Sequence, residues 1–94
     1  MRRIELATAF RRDFKRESKG RHGRTLDVEL SPVLEALAAD ATLEARLRDH
    51  TLSGEWLGYR ECHIRPDLLL IYRKVDDDLL RVARLGSHSE LFKK

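Results

Sequence analysis

Three of the four histidines in this 94-residue chain stand where a predicted strand begins or ends. His50 closes the segment that leads into the predicted sheet, His63 ends one strand, and His88 follows the last strand. Histidine changes charge near neutral pH and is therefore suited to transferring protons. Asp67 lies one short turn beyond His63, and we expect these two side chains to be near neighbours. His22, the fourth histidine, falls among basic residues in a predicted surface loop, and we assign it no chemistry.

These residue types match the requirements of RNA cleavage without a metal. A base must take the proton of the 2′-hydroxyl, an acid must protonate the leaving 5′-oxygen, and positive charge must stabilise the pentacoordinate phosphate. Arg60 and Arg84 are the candidate phosphate ligands, because a guanidinium group binds phosphate oxygens in a bidentate manner. Trp56 and Phe92 are either core or interface residues, or rings that stack on unpaired bases.

Two other interpretations of the histidines compete with catalysis. A single histidine on a strand is usually structural, although strand ends and loops carry functional sites more often than other positions. A His/His/Asp set can also ligate zinc or iron. The chain has no His-x-His pair and no helical His-x-x-x-His pair, so we predict neither a metal nor another cofactor.

Positive charge is concentrated at the start of the chain. Residues 1–24 hold nine Lys/Arg against three Asp/Glu, residues 25–47 hold one against five, and residues 48–94 hold nine against eight. A basic segment beside an acidic one suggests a face that binds a polyanion such as a nucleic acid. A solvated basic helix would give the same pattern, and charge alone does not separate the two.

Composition predicts one folded domain, residues 1–94, in a reducing cytoplasm. The hydrophobic fraction of 41% and the charged fraction of 37% are typical of a folded domain with a charged surface. Cys62 is the only cysteine, which excludes an internal disulfide and favours a buried structural thiol. No secretory leader opens the chain, and no apolar run approaches the roughly 20 residues of a membrane span, so we expect no membrane partner.

The first half of the chain predicts one strand and a first helix. Arg2–Leu6 reads as a short strand, and Thr8 is a candidate cap for the helix that follows. That helix ends at Gly20 and directs Phe10 and Phe14 towards the core. Its remaining residues give it a strongly basic outer surface.

A second helix is predicted over about residues 26–39, where leucine and valine recur at helical spacing. Pro32 interrupts this pattern, because a proline is tolerated in a first turn and disruptive in a helix interior. The helix therefore either starts near Ser31 or bends at Pro32, and both alternatives remain open.

The second half predicts strands. Tyr59–Ile64 alternates, with Cys62 on one face and Glu61 and His63 on the other. Leu68–Arg73 is a nearly continuous apolar run, as expected of a central strand covered on both faces. The remaining elements are an acidic hairpin tip at 76–78, a last strand at Leu79–Leu85, and a short turn or helix at Ser87–Phe92.

The order β-α-α-β-β-β predicts an α+β fold. Two helices pack on one face of a small, mainly antiparallel sheet. The other face of the sheet is left open to bind a partner or substrate.

Three segments of the second half resemble the YafQ branch of the RelE/ParE toxin superfamily. They are residues 48–67 (RDHTLSGEWLGYRECHIRPD), residues 70–72 (LIY) and residues 84–92 (RLGSHSELF). The similarity is dense over residues 48–92, whereas the first half resembles the family only in its layout of a strand and two helices.

The resemblance implies a RelE-like fold and the toxin half of a type II toxin–antitoxin system. Toxins of this branch are ribosome-dependent mRNA interferases that cleave mRNA by attack of the 2′-hydroxyl, without a metal. The implied partners are the ribosome, mRNA and an antitoxin of the RelB/DinJ type, typically with two toxins and two antitoxins in the complex.

The resemblance also implies roles for individual residues. The positions that match the family's catalytic residues are His50, His63, Asp67 and His88. Arg84 matches a phosphate-contacting arginine, and Trp56 and Phe92 match positions that line the site. Glu61 stands where a relative has aspartate, which is a departure from the family pattern.

Within the catalytic set, we expect His88 to share acid and base duties with Asp67 or His63, while His50 stabilises phosphate charge. The basic residues of the first helix expected to contact ribosomal RNA are Arg12, Lys15 and Arg16.

Three alternatives remain beside this interpretation. ParE toxins share the fold but inhibit DNA gyrase and lack a nuclease site. The chain could also be an RNA-binding module without turnover, or a metal-dependent nuclease.

Overall fold

The computed structural model describes residues 1–92, and its elements follow the predicted order. They are, in chain order, β1 (Arg3–Leu6), α1 (Thr8–Ser18), α2 (Leu26–Ala38), β2 (His50–Thr51), β3 (Arg60–Arg65), β4 (Leu68–Val75), β5 (Leu79–Gly86) and α3 (His88–Leu91). Short 3₁₀ turns at Ala45–Leu47 and Gly54–Trp56 flank β2. None of the helices within residues 1–92 is long and apolar enough to cross a membrane.

The strands form one five-stranded sheet in the order β1-β5-β4-β3-β2. β1 pairs in parallel with β5, and the other three pairings are antiparallel. The predicted α+β fold with a mainly antiparallel sheet is therefore confirmed. The sequence did not predict β2, because a strand of two exposed residues is too short to show alternation.

Helices α1 and α2 cover one face of the sheet and enclose the main core. Phe10 is buried and Phe14 packs at the edge of this core, as predicted from their spacing. The central strand β4 contributes the fully buried Leu70 and Tyr72. Cys62 is also fully buried, and burial raises the pKa of its thiol to about 12, so it is a structural residue.

The two helix starts differ in how well they were predicted. Helix α2 begins at Leu26 and continues through Pro32, so the proline lies in the helix interior. Pro32 has no N–H to donate to the carbonyl of Val28, and water can solvate that carbonyl because both residues are exposed. For α1, the expected cap was wrong by one position: Ala7 is the N-cap and Thr8 is already helical.

The opposite face of the sheet is only partly open, which corrects the prediction of a free face. Leu69, Ile71 and Ala83 are buried there together with Leu91 of α3. The partly buried side chains that cover this second cluster are Leu52, Trp56, Tyr59 and Phe92. Polar side chains remain exposed on this face at both edges of the sheet: Glu5 pairs with Arg81 between β1 and β5, and His50 lies on β2.

Asp13 corrects the expectation that the polar residues of α1 all face outwards. Asp13 is 2% exposed. Arg84 donates hydrogen bonds to it at 2.7 and 3.1 Å, Arg16 donates one at 2.9 Å, and the Leu85 backbone N–H donates one at 3.0 Å. Burial alone would raise the pKa of Asp13, but these hydrogen bonds lower it overall and keep the carboxylate ionised. Asp13 thus joins α1 to β5.

Candidate active site

His50 and His63 meet about one buried carboxylate at the β2–β3 edge of the sheet. The pairing of the two strands places His50 opposite Glu61, and alternation along β3 puts Glu61 and His63 on the same face. The Oε1 atom of Glu61 lies 3.3 Å from Nε2 of His50 and 3.4 Å from Nε2 of His63. The two ring centroids are 6.1 Å apart. We call His50, Glu61 and His63 the histidine cluster.

The backbone fixes the orientation of the His50 ring. Nδ1 of His50 donates a hydrogen bond of 2.7 Å to the carbonyl of Arg48. Nδ1 therefore carries a hydrogen, and Nε2, which faces Glu61, shares a hydrogen bond with that carboxyl group when a second proton is present on either partner. The side chain of His50 is 49% exposed and that of His63 is 19% exposed. A substrate phosphate can therefore reach His50 more readily than His63.

The contacts of Asp67 among the described residues are with the loop after α1 and not with His63. Its carboxylate accepts hydrogen bonds from Nε2 of His22 at 3.0 and 3.1 Å, and Arg21 lies 3.4 Å away. The His22 hydrogen bond lowers the pKa of Asp67. His22, to which we assigned no chemistry from its position in the chain, is therefore the direct partner of a predicted catalytic residue.

His88 is the first residue of α3 and is exposed. Its ring centroid lies 4.9 Å from that of Phe92. Ser87 and Glu90 form a capping box, in which the Ser87 hydroxyl accepts from the Glu90 N–H and the Glu90 carboxylate accepts from the Ser87 N–H. This cap fixes the backbone that carries His88.

The two arginines predicted to bind phosphate have different surroundings. Arg84 uses Nε and Nη2 to bind Asp13, and this contact raises the pKa of its guanidinium. Arg60 donates a hydrogen bond of 3.1 Å to Asp49, whose carboxylate also accepts one from Tyr72. Alternation along β3 places Arg60 on the helix-covered face, opposite to Glu61, so the structure separates it from the histidine cluster.

The basic residues predicted on α1 are also not equivalent. Arg12 and Lys15 are exposed. Arg16 donates hydrogen bonds to Asp13 and to the Leu85 carbonyl, the latter at 2.9 Å, and also forms ion pairs with Glu17 and Glu90. The positive charge of Arg16 is therefore partly neutralised by carboxylates of the protein itself.

Trp56 and Phe92 are both partly buried against the second apolar cluster. Trp56 makes an edge-to-face contact with Tyr59, with ring centroids 5.2 Å apart. Each ring therefore packs within the protein and still presents some surface to solvent.

The histidine cluster also has a geometry that could bind a metal ion. Ligand atoms of His50, Glu61 and His63 all lie within 4.8 Å of one another. Two imidazoles and a carboxylate suit zinc or copper, and three protein ligands would leave an open coordination position. Metal-binding sequence motifs did not indicate this group, because its residues come from two paired strands.

A family model described as a bacterial toxin of type II toxin-antitoxin systems, YafQ, matches residues 2–93. The chain is 40% identical over 91 residues to the mRNA interferase toxin YafQ of Escherichia coli (strain K12), a match that covers 95% of this chain and 94% of the relative. Two solved structures are similar. One is a chain of the E. coli DinJ-YafQ toxin-antitoxin complex, with a TM-score of 0.81, 37% identity and 97% of each chain covered. The other is a copper-bound mutant toxin from Helicobacter pylori, with a TM-score of 0.84, 39% identity, and 98% of this chain and 100% of that chain covered.

Fold and family match together define the class of the protein: a toxin of a bacterial type II toxin–antitoxin system. Within that class, the chain belongs to the YafQ family. The family predicted from residues 48–92 is thus confirmed, and the match extends over the first half as well.

Proposed function

We propose that this YafQ-family toxin is an mRNA interferase, an endoribonuclease that cleaves mRNA on the ribosome without a metal. The observation that carries the proposal is the meeting of His50 and His63 about the carboxylate of Glu61. The E. coli relative, which is named an mRNA interferase toxin and aligns over nearly the whole chain, supports mRNA as the substrate.

The reaction divides into two proton transfers. A base takes the proton of the 2′-hydroxyl, the 2′-oxygen bonds to phosphorus, and the bond from phosphorus to the 5′-oxygen breaks. An acid then protonates the 5′-oxygen, so the products are a 2′,3′-cyclic phosphate and a 5′-hydroxyl. We assign these transfers to His88 together with His63 or Asp67. His50, when protonated at Nε2, is a cation that stabilises the phosphate.

The other residues of the proposed site bind the RNA substrate or ribosomal RNA. Arg84 keeps the donors of Nη1 for a phosphate, because its hydrogen bonds to Asp13 use Nε and Nη2. The α1 residues proposed to contact ribosomal RNA are Arg12, Lys15 and the partly paired Arg16. The rings proposed to stack on bases are Trp56 and Phe92. We leave Arg60 out of the phosphate site, because it lies on the other face of the sheet.

We also propose that an antitoxin of the RelB/DinJ type neutralises the protein in the cytoplasm. Structural similarity to the toxin of the E. coli DinJ-YafQ complex supports this partner. Co-expression with the cognate antitoxin should give a complex whose mass, measured by light scattering, corresponds to two toxins and two antitoxins. A toxin that elutes alone would contradict this proposal.

Metal-dependent cleavage is the alternative mechanism that the histidine cluster suggests. The similar mutant toxin from H. pylori is copper-bound, and the cluster offers suitable ligands here. A metal would occupy the Nε2 lone pairs of the two histidines, whereas our mechanism needs at least one of them free to exchange a proton. We therefore expect removal of metal to leave cleavage intact.

The decisive experiment measures single-turnover mRNA cleavage on programmed ribosomes. The protein is first stripped with chelator and then desalted, because ribosomes themselves need Mg²⁺. We expect full cleavage by the stripped protein, and rates about 10²–10⁴-fold lower for His88→Ala and for at least one of His63→Ala and Asp67→Ala. Activity that returns only when a transition metal is added would favour the metal-dependent alternative.

Three further outcomes would contradict parts of the proposal. Near wild-type cleavage by His88→Ala would refute the role assigned to that residue. Inhibition of gyrase supercoiling without mRNA cleavage would favour the ParE-like alternative. Ribosome binding with intact mRNA would favour a module without turnover.

A further inference from the structure

The carboxylate of Asp67 is held by a histidine from a distant part of the chain. Nε2 of His22 lies 3.0 and 3.1 Å from the two oxygens of Asp67. The side chain of His22 is 13% exposed, whereas that of Asp67 is 46% exposed. The imidazole is therefore largely enclosed by protein, while the carboxylate keeps a side open to solvent.

The pair lies in a cleft that also includes the start of α3. Other side chains lining this cleft are Arg16, Arg21, Ser87 and Ser89. His88 stands between the two serines in the chain. The cleft thus places the His22–Asp67 pair beside the residues that flank a predicted catalytic histidine in the chain.

Stability alone gives a weak reason for this contact. Exposed ion pairs stabilise a fold by only about 0.2–1 kcal/mol. Catalysis depends more strongly than stability on where a side chain lies, because a displacement of a catalytic group by about 1 Å can reduce a rate about 100-fold. Asp67 lies in the turn between β3 and β4, where its side chain needs a partner to hold it in one orientation.

We propose that His22 is a positioning residue for Asp67, and that it holds the carboxylate in the orientation used in RNA cleavage. The inference rests on the proposed function and on the catalytic role proposed for Asp67. The hydrogen bond from His22 favours the ionised form of Asp67, and the carboxylate lines the cleft and is 46% exposed, so it can accept a proton there.

Three substitutions of His22 test this role. His22→Leu removes the donor and keeps an apolar side chain of moderate size. His22→Asn also loses the contact, because its amide is too short, and it serves if the leucine variant does not fold. His22→Gln retains an N–H near the position of Nε2 and is the conservative variant.

We expect His22→Leu to lower the single-turnover cleavage rate about 10–100-fold with little change in ribosome binding. His22→Gln should recover most of the rate. Asp67→Asn combined with His22→Leu should be no slower than Asp67→Asn alone, because the two residues act as one unit. Lys74→Gln is the matched control: it breaks a similarly exposed ion pair with Asp40 and should cleave normally.

The results of these experiments distinguish a failure of the proposed function from a failure of the role proposed for His22. Wild-type protein that leaves mRNA intact refutes the proposed function, and the inference with it. Normal cleavage by the wild type together with equal rates for His22→Leu refutes the inference alone. Fully additive losses in the double variant, or no recovery with glutamine, would also overturn it, because a positioning residue acts only through Asp67.

Discussion

Replacing Asp13 by asparagine tests whether one buried carboxylate joins α1 to the sheet. The substitution keeps the side-chain shape and removes the negative charge that accepts hydrogen bonds from Arg84, Arg16 and the Leu85 N–H. Two guanidinium groups then lose their shared counter-charge at a buried position.

The magnitude follows from this geometry. Removing one partner of a buried ion pair costs about 3–5 kcal/mol. The side chains of Arg84 and Arg16 are 28% and 42% exposed, so both regain some hydration, and we expect the lower end, about 3 kcal/mol. In a domain of this size, each kcal/mol shifts the melting temperature by roughly 4–8 °C, so a decrease of about 12–24 °C is expected.

The pH dependence gives an independent test of the same residue. The pKa of Asp13 is lower in the folded protein than its ordinary value of 3.8. A lowered folded-state pKa stabilises the fold above the unfolded-state value, and this contribution is lost as the pH falls through the folded-state pKa. Urea unfolding of the wild type should therefore show a loss of stability below about pH 4 that is smaller in Asp13→Asn, where only the other carboxylates with lowered pKa values, those of Glu29, Asp40, Asp67 and Glu90, still contribute.

A matched control separates the buried charge from a general effect of asparagine in a helix. Asp27→Asn makes the same change at an exposed position of α2, where the carboxylate accepts a hydrogen bond of 3.3 Å from Ser31. We expect its stability to change by less than about 0.5 kcal/mol. Equal melting temperatures for Asp13→Asn and the wild type would refute the role of Asp13.

Three other predictions concern the site and the core. Glu61→Gln should lower cleavage about 10–100-fold, because the rings of His50 and His63 lose the carboxylate between them; wild-type single-turnover rates would contradict this. Arg84→Lys keeps the charge but loses the planar bidentate contact with Asp13, so thermal melting should show a loss of about 1 kcal/mol and the cleavage assay a lower rate. Cys62, with a thiol pKa of about 12, should resist a thiol reagent at pH 8 until urea unfolds the protein, and rapid labelling of the native protein would show that the thiol is not buried.

The sequence predicted the strands of the second half well. Side chains alternate between the two faces of a strand, so every second residue shares a face. Glu61 and His63 were placed together on β3 in this way, and the structure adds His50 from β2. The same alternation placed Arg60 on the other face, and the candidate phosphate role overlooked this. Local pattern therefore carried enough information to find the centre of the histidine cluster.

Contacts between distant segments could not be predicted in the same way. His22 and Asp67 are 45 residues apart, and nothing near either residue indicates the other. Asp13 lies in a run of basic residues that looks exposed, and its burial follows only from the packing of α1 on β5. Pro32 was ambiguous because proline statistics favour a helix start, whereas α2 tolerates the missing hydrogen bond at an exposed carbonyl.

Helix α1 lies in the first half of the chain but supports the proposed site, whose histidine cluster lies in the second half. Through Asp13 it fixes the guanidinium of Arg84, the arginine proposed to bind phosphate. Through Arg16 it contacts Glu90, whose carboxylate caps the helix that begins with His88. Its exposed residues Arg12 and Lys15 remain available for RNA. One face of the basic helix is thus structural and the other is electrostatic, so substitutions on the two faces should affect stability and ribosome binding separately.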